Sequence, residues 1–189
     1  MGVLNAAARR LRMIAAACLL ACGVCASGTV LAVPTPAQVE AVFLFNFTQF
    51  VDWPPQAFAD PSSPIVIGVL GRDPFGAALD EVVHSEVVKG HPLVVHRAQR
   101  IEELADCQIL FISGSERAHL APILAQLKGR NVLTVSDLEE FANAGGMICF
   151  VLIDNKVRLR VNLEASKAAG LTLSSKLLRF AQIVAPREL

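Results

Sequence analysis

Residues Ala37–Pro54 read AQVEAVFLFNFTQFVDWP and hold four of the ten phenylalanines and the only tryptophan of this 189-residue chain. A segment so rich in aromatics must be buried, and Thr35-Pro36-Ala37-Gln38 marks its start as helical. The Thr35 hydroxyl can accept from the amide of Gln38, the Gln38 side chain can reach back to Thr35, and Pro36 suits the first helical position. Val39, Val42, Phe43, Asn46, Phe50 and Trp53 recur at steps of three or four, which predicts one inward face with Phe47 and Val51 beside it. Pro54-Pro55 removes two donors and stops the helix. Asn46, surrounded by aromatics, is expected to be a core amide satisfied by a neighbouring backbone group. Leu44 and Phe45 fall on the second face. A helix apolar on nearly all sides needs more than one partner surface, so these two are candidates for contact with another protein.

Upstream of this helix the chain has the three parts of a secretory signal. Arg9, Arg10 and Arg12 precede an uncharged run from Met13, and small residues lead to Val30-Leu31-Ala32. Residues 1–32 are therefore expected to be removed on export, leaving residues 33–189 as one domain in the periplasm. Two other fates compete: lipidation at Cys22 after Leu19-Leu20-Ala21, and retention of Met13–Val33 as a membrane anchor. The whole chain is formally neutral, and losing three arginines with no acid makes the remainder mildly acidic, which argues against nucleic acid as a partner. Cys18, Cys22 and Cys25 leave with the signal. Cys107 and Cys149 then face an oxidising compartment on strands two places apart, roughly 10 Å at the spacing of neighbouring strands, so both are expected to stay unpaired.

Downstream, Ile65–Leu70 is a short apolar run that reads as a buried strand, followed by a turn at Gly71 to Gly76 and a helix capped by Asp73 that runs to Val83. The alternation continues. Leu93–His96, Gln108–Ile112, Asn131–Val135 and Met147–Ile153 are further strands, separated by helices at Ile101–Ala105, His119–Lys128 and Ser136–Phe141. Asp154-Asn155 predicts a hairpin to a sixth strand, Val157–Val161, with Arg158 and Arg160 outward on an antiparallel edge. Asn162 and Ser174 cap two final helices, the last using Leu177, Leu178, Phe180, Ala181 and Ile183. The sum is an α/β fold: a single three-layer domain with a mostly parallel sheet of about six strands, an antiparallel C-terminal hairpin edge and helices on both faces.

Catalytic patterns are sparse. Gly68, Gly71 and Gly76 have neither phosphate-loop spacing, and Ile112-Ser113-Gly114 lacks the aspartate of a receiver domain. Ser115 and His119 lie four apart without a nucleophile elbow, and His84, His91 and His96 lack metal-site spacing. No catalytic residue, metal or cofactor is expected. Arg158 and Arg160 share a strand face and could grip a carboxylate or an acidic partner. Gly71, Arg72, Ser113, Ser136 and Asp137 could converge beyond the strand C-termini as a ligand crevice.

FLFNFTQFVDWP at Phe43–Pro54 resembles the signature opening the YfiR-like family, and five further stretches match in order: GRDPFG from Gly71, CQILFIS from Cys107, VLTVSD from Val132, GGMICFV from Gly145 and VNLEASKAAGLTLSSKLLRFA from Val161. The resemblance implies a periplasmic negative regulator and no enzyme. It would bind the periplasmic sensor region of an inner-membrane GGDEF diguanylate cyclase, hold it inactive, and so lower cyclic di-GMP and biofilm formation. It further implies an OmpA-like outer-membrane lipoprotein as sequestering partner and a tendency to form a homodimer. The rival expectation is a periplasmic small-molecule binding module that feeds a membrane sensor.

Overall fold

In the computed structural model, residues 33–185 are described; the expected signal, Cys22 and nearly all of the alternative anchor lie outside them, as do residues 186–189. Helix α1 (Pro36–Phe50) begins where Thr35 dictates: Thr35 Oγ1 accepts from the Gln38 amide at 3.3 Å, and Gln38 Oε1 accepts from the Thr35 amide at 2.8 Å. The helix ends at Val51, whose N–H donates to the Phe47 carbonyl, and the backbone extends into β1 (Val51–Asp52).

The following segments build one sheet from β2 (Ile65–Leu70), α2 (Ala77–Val83), β3 (Val87–Val88), β4 (His91–Ala98), β5 (Ile109–Ile112), α3 (Leu120–Leu127), β6 (Leu133–Ser136), β7 (Ile148–Ile153) and β8 (Lys156–Val161). After α4 (Leu163–Ala168), β9 (Thr172–Leu173) pairs antiparallel with β1 as a separate ribbon, and α5 (Ser175–Leu178) leads to β10 (Ala181–Ile183). The main sheet has eight strands in the order β10-β8-β7-β6-β5-β2-β4-β3. Strands β4, β2, β5, β6 and β7 run parallel, whereas β8 is antiparallel to β7 and β3 to β4. Asp154 and Asn155 take positive φ values of 50° and 57°, the pair of left-handed residues that a tight hairpin between right-twisted strands requires.

Each face of the sheet has its own core. Leu44, Phe47 and Val51 of the first helix segment, Leu79, Val83 and Leu177 pack with Ile67, Val69, Phe111, Val135 and Phe150. Against the other face, Leu70, Leu110, Ile112, Cys149 and Val151 meet Ile101, Leu104, Leu120, Ile123, Leu127 and Phe141. Near-continuous apolar strands such as IVIGVL and ILFI suit a sheet covered on both sides. Gly146 lies against the Phe141 ring so closely that a Cβ would overlap it, which explains why the loop entering β7 carries glycine there.

Five expectations from the sequence are corrected. The fully buried face of α1 is Ala41, Leu44, Phe47 and Thr48, while Val42 is 44% exposed and Phe43, Phe50 and Trp53 are only partly buried against the core, so the stripe assigned from Val39 to Trp53 flanks the inward face instead of forming it. With apolar residues on almost every position, periodicity groups residues correctly without saying which group faces in. Leu44 is therefore a fully buried core residue and cannot contact a partner directly. The terminal helix stops at Leu178, and Ala181–Ile183 instead pairs parallel with Leu159–Val161, so β10 and not β8 forms that edge. Ser136–Phe141 is not a helix: Ser136 ends β6, its hydroxyl donates to the Ile112 carbonyl at 2.6 Å and accepts from the Leu138 amide at 3.2 Å, and turns follow that are closed by Phe141 N–H to the Leu138 carbonyl at 2.9 Å. The sheet gains strands over the expected six because β3 and β10 are too short to carry an alternation signal.

Candidate functional site

The orientation of α1 turns Phe43, Asn46 and Phe50 toward a cleft of about 300 Å³. Its other walls are Val157 and Arg158 of β8, Lys176 and Leu177 of α5, and Phe180. These residues meet because β10 draws the chain after α5 alongside β8, in the register Ala181 to Leu159. Phe180 is 72% exposed, and the edge strand beyond it ends in Ile183 at 57%. Phe180 borders the apolar lining of Phe43 and Phe50, and contiguous exposed apolar surface of this kind is characteristic of interaction sites. Its neighbours Arg158 and Lys176 are exposed and take part in no ion pair among the described residues. The cleft thus pairs an apolar floor with a cationic rim. Such a surface suits a protruding apolar side chain flanked by acidic groups.

Of the residues expected to contact a partner, Arg158 and Arg160 share the sheet face of Val151 and Cys149, their cross-strand neighbours. Arg158 is exposed and borders the cleft, whereas Arg160 is half-buried. Phe45 is half-buried against the core beneath α1. Asn46, expected as a core amide, is a half-buried wall of the cleft. The spacing of Phe43, Asn46 and Phe50 places them together, but it gives no sign of Lys176 and Phe180, because the leucines before β10 carry the pattern of a continuing helix.

Gly71, Arg72, Ser113, Ser136 and Asp137 do gather at the C-terminal ends of β2, β5 and β6, yet several of their polar groups are taken up by neighbouring residues of the fold. The Arg72 amide donates to Ser115 Oγ at 3.0 Å, the Ser113 amide to the Leu70 carbonyl at 3.1 Å, and Ser136 Oγ to the Ile112 carbonyl at 2.6 Å. Space above Gly71, at φ 85°, is filled by the Ser115 and Glu116 side chains. The expected crevice is closed there by the protein's own side chains.

Beside it lies a charged pair that spacing does not reveal. Burial pushes the Glu40 carboxyl up to about 7, and the nearby Asp137 charge adds to the rise. Asp137 is itself raised by partial burial, against the amides of Asp137 and Gly114 and the Arg117 guanidinium, which pull it down. A carboxyl whose folded value stands above its unfolded one makes the native state the better proton binder. Its contribution is therefore intact below pH 4.5 and declines as pH rises toward 7. Glu40→Gln should raise the melting temperature at pH 8 and leave it nearly unchanged at pH 4, as read by thermal unfolding at both values. An equal shift at the two pH values would show that Glu40 is not strained by its charge.

Cys107 and Cys149 are free and buried. Burial pushes both thiols up to about 12, and the Cys149 thiol donates to the Leu138 carbonyl at 2.9 Å. Neither is a thiolate at neutral pH, so both behave as small apolar core groups.

The architecture is that of an α/β domain with a cleft of exposed aromatic and cationic side chains at one sheet edge. The chain belongs to the YfiR/HmsC-like family, a family of periplasmic regulators, whose model matches residues 37–182. No curated protein matches the chain. Among the described residues, no helix is long and apolar enough to cross a membrane.

Proposed function

We propose that this protein is a periplasmic negative regulator that is exported with cleavage near Ala32 and acts without catalysis of its own. Its target is the periplasmic sensor region of an inner-membrane GGDEF diguanylate cyclase, which it holds inactive, lowering cyclic di-GMP and biofilm formation. Membership of a family of periplasmic regulators supports the compartment and the regulatory role. The observation that carries the reading is the cleft of Phe43, Asn46, Phe50 and Phe180, because it joins three residues of the opening motif to the C-terminal elements and leaves a large aromatic in solvent.

Inhibition follows from differential affinity. A regulator that binds the inactive sensor more tightly than the active one shifts the population toward the inactive state, and a second protein that sequesters the regulator reverses the shift. An OmpA-like outer-membrane lipoprotein is the proposed sequestering partner, competing for the same cleft. Among the described residues β10 is the edge of the sheet, and its outer side offers main-chain groups on which an extended partner segment, or a second copy in a homodimer, can add a strand.

Phe180→Asp places a carboxylate where the partner's apolar group must seat. Because Phe180 is 72% exposed, the melting temperature should be unaltered. Affinity for the cyclase's periplasmic region should fall at least about tenfold, the equivalent of ~1.4 kcal/mol. Biolayer interferometry with the isolated sensor region reads this directly. Equal affinity for wild type and variant would remove the cleft from the interface.

A further inference from the structure

A second cleft lies at the opposite, N-terminal ends of β2, β5 and β6, with a volume of about 530 Å³. Phe58, Pro64, Val66 and Val132 give it apolar walls, and Arg130 and Asp106 supply opposite charges from two separate loops. The volume falls in the range of small-molecule sites.

Some arginines of this protein are held in ion pairs, while Arg72, Arg130, Arg158, Arg160 and Arg179 are in none among the described residues. Arg97 is held by Asp73 and Asp80 at 2.7 and 2.8 Å, Arg100 by Glu103 at 3.1 Å, and Arg117 by Glu140. Arg130 and Asp106 take part in no ion pair among the described residues, either with each other or with a third group. Arg130 is half-buried, and its guanidinium donates to the Ala105 carbonyl, which leaves donors of its planar fork for a further acceptor. The loop on the far side is held firmly. Buried Gln108 donates to the Ala57 carbonyl at 2.8 Å, the Phe58 ring stacks on His91 with centroids 4.3 Å apart, and the His91 ring nitrogen meets the Ser63 carbonyl at 2.6 Å. The wall facing Arg130 and Asp106 is thus pre-organised, which reduces the ordering cost of binding.

We propose that this cleft binds a small zwitterion of the α-amino-acid class, its carboxylate on Arg130, its ammonium toward Asp106 and its apolar side chain against Phe58 and Val66. A guanidinium fork matches a carboxylate in a bidentate pair, and an unpaired carboxylate nearby selects a ligand that also carries a positive charge. Neutral Cys107 at the cleft completes an apolar surface without offering a nucleophile.

The test uses the exported protein and the twenty L-amino acids singly, by isothermal titration calorimetry at roughly 10 mM ligand, which reaches millimolar affinities. At least one apolar amino acid is expected to bind, and its N-acetyl and amide derivatives, which each lack one charge, should bind at least about tenfold more weakly. Arg130→Gln and Asp106→Asn should weaken it similarly. Absence of binding by all twenty overturns the proposal, as does binding that is indifferent to the derivatives. Because the derivatives are tested on the wild-type protein, the result stands even if a variant fails to fold. Binding here is independent of the partner contact at the aromatic cleft: its failure leaves that contact in place, and loss of cyclase binding would leave this site intact.

Discussion

Phe47→Ala is expected to destabilise the domain by about 4 kcal/mol, since a fully enclosed phenylalanine leaves both lost transfer energy and a cavity. Phe47 is 0% exposed, its ring stacks on Phe150 with centroids 6.0 Å apart, and Phe43 lies 6.3 Å away. The effect should exceed that of a neighbouring change on the same helix. Val42→Ala, at a position 44% exposed, should cost well under about 1 kcal/mol. Urea unfolding of the two variants measures the contrast. If Val42→Ala proved the more damaging, α1 would have to be turned back to the orientation that periodicity alone suggests.

Gln108→Ala should cost about 3 kcal/mol for a different reason. The Gln108 side chain is 5% exposed and accepts from the Val66 amide at 2.8 Å through Oε1. Its Nε2 donates to the carbonyls of Ala57 at 2.8 Å and Asp106 at 3.1 Å. The backbone carbonyl of the same residue receives Trp53 Nε1 at 3.1 Å and the Leu133 amide at 2.8 Å. Truncation leaves main-chain groups at the start of β2 and in the proline-rich loop without their partner, and an unsatisfied buried group costs about 1–3 kcal/mol. Hydrogen exchange should show the Val66 amide losing protection beyond the global change. Uniform loss across β2 would mean that Gln108 acts only through overall stability.

These two residues mark what the amino-acid order reveals. Phe47 belongs to a helix whose existence and start are legible, because a capping box and a proline are local signals. The helix's orientation is not, since Leu44, Phe45, Phe47 and Phe50 are equally apolar and only the sheet beneath decides between them. Strands β2, β5, β6 and β7 and the Asp154-Asn155 hairpin are legible from unbroken apolar runs and turn chemistry. Gln108 is invisible: a glutamine at the start of a strand carries no mark of the three backbone groups, as many as 51 residues away, that it will bind.

The candidate site divides in the same manner. Phe43, Asn46 and Phe50 share a face by spacing alone, so that half of the cleft is readable. The other half depends on the parallel pairing of Ala181–Ile183 with Leu159–Val161, a long-range contact. Three residues are too few for a period-two pattern to emerge, and the preceding Leu177-Leu178 suggests that the helix continues. Arg158 can be singled out on its strand, but its nearness to Lys176 and Phe180 is a property of the fold.

The central claim, that the protein restrains a membrane-bound diguanylate cyclase by contact at the aromatic cleft, is tested most directly by cyclic di-GMP in cells expressing that cyclase. Wild-type protein should lower the nucleotide, and Phe180→Asp, exported to the same level, should leave it as high as in cells lacking the regulator. Unchanged cyclic di-GMP with the wild-type protein, or equal lowering by the variant, would contradict it.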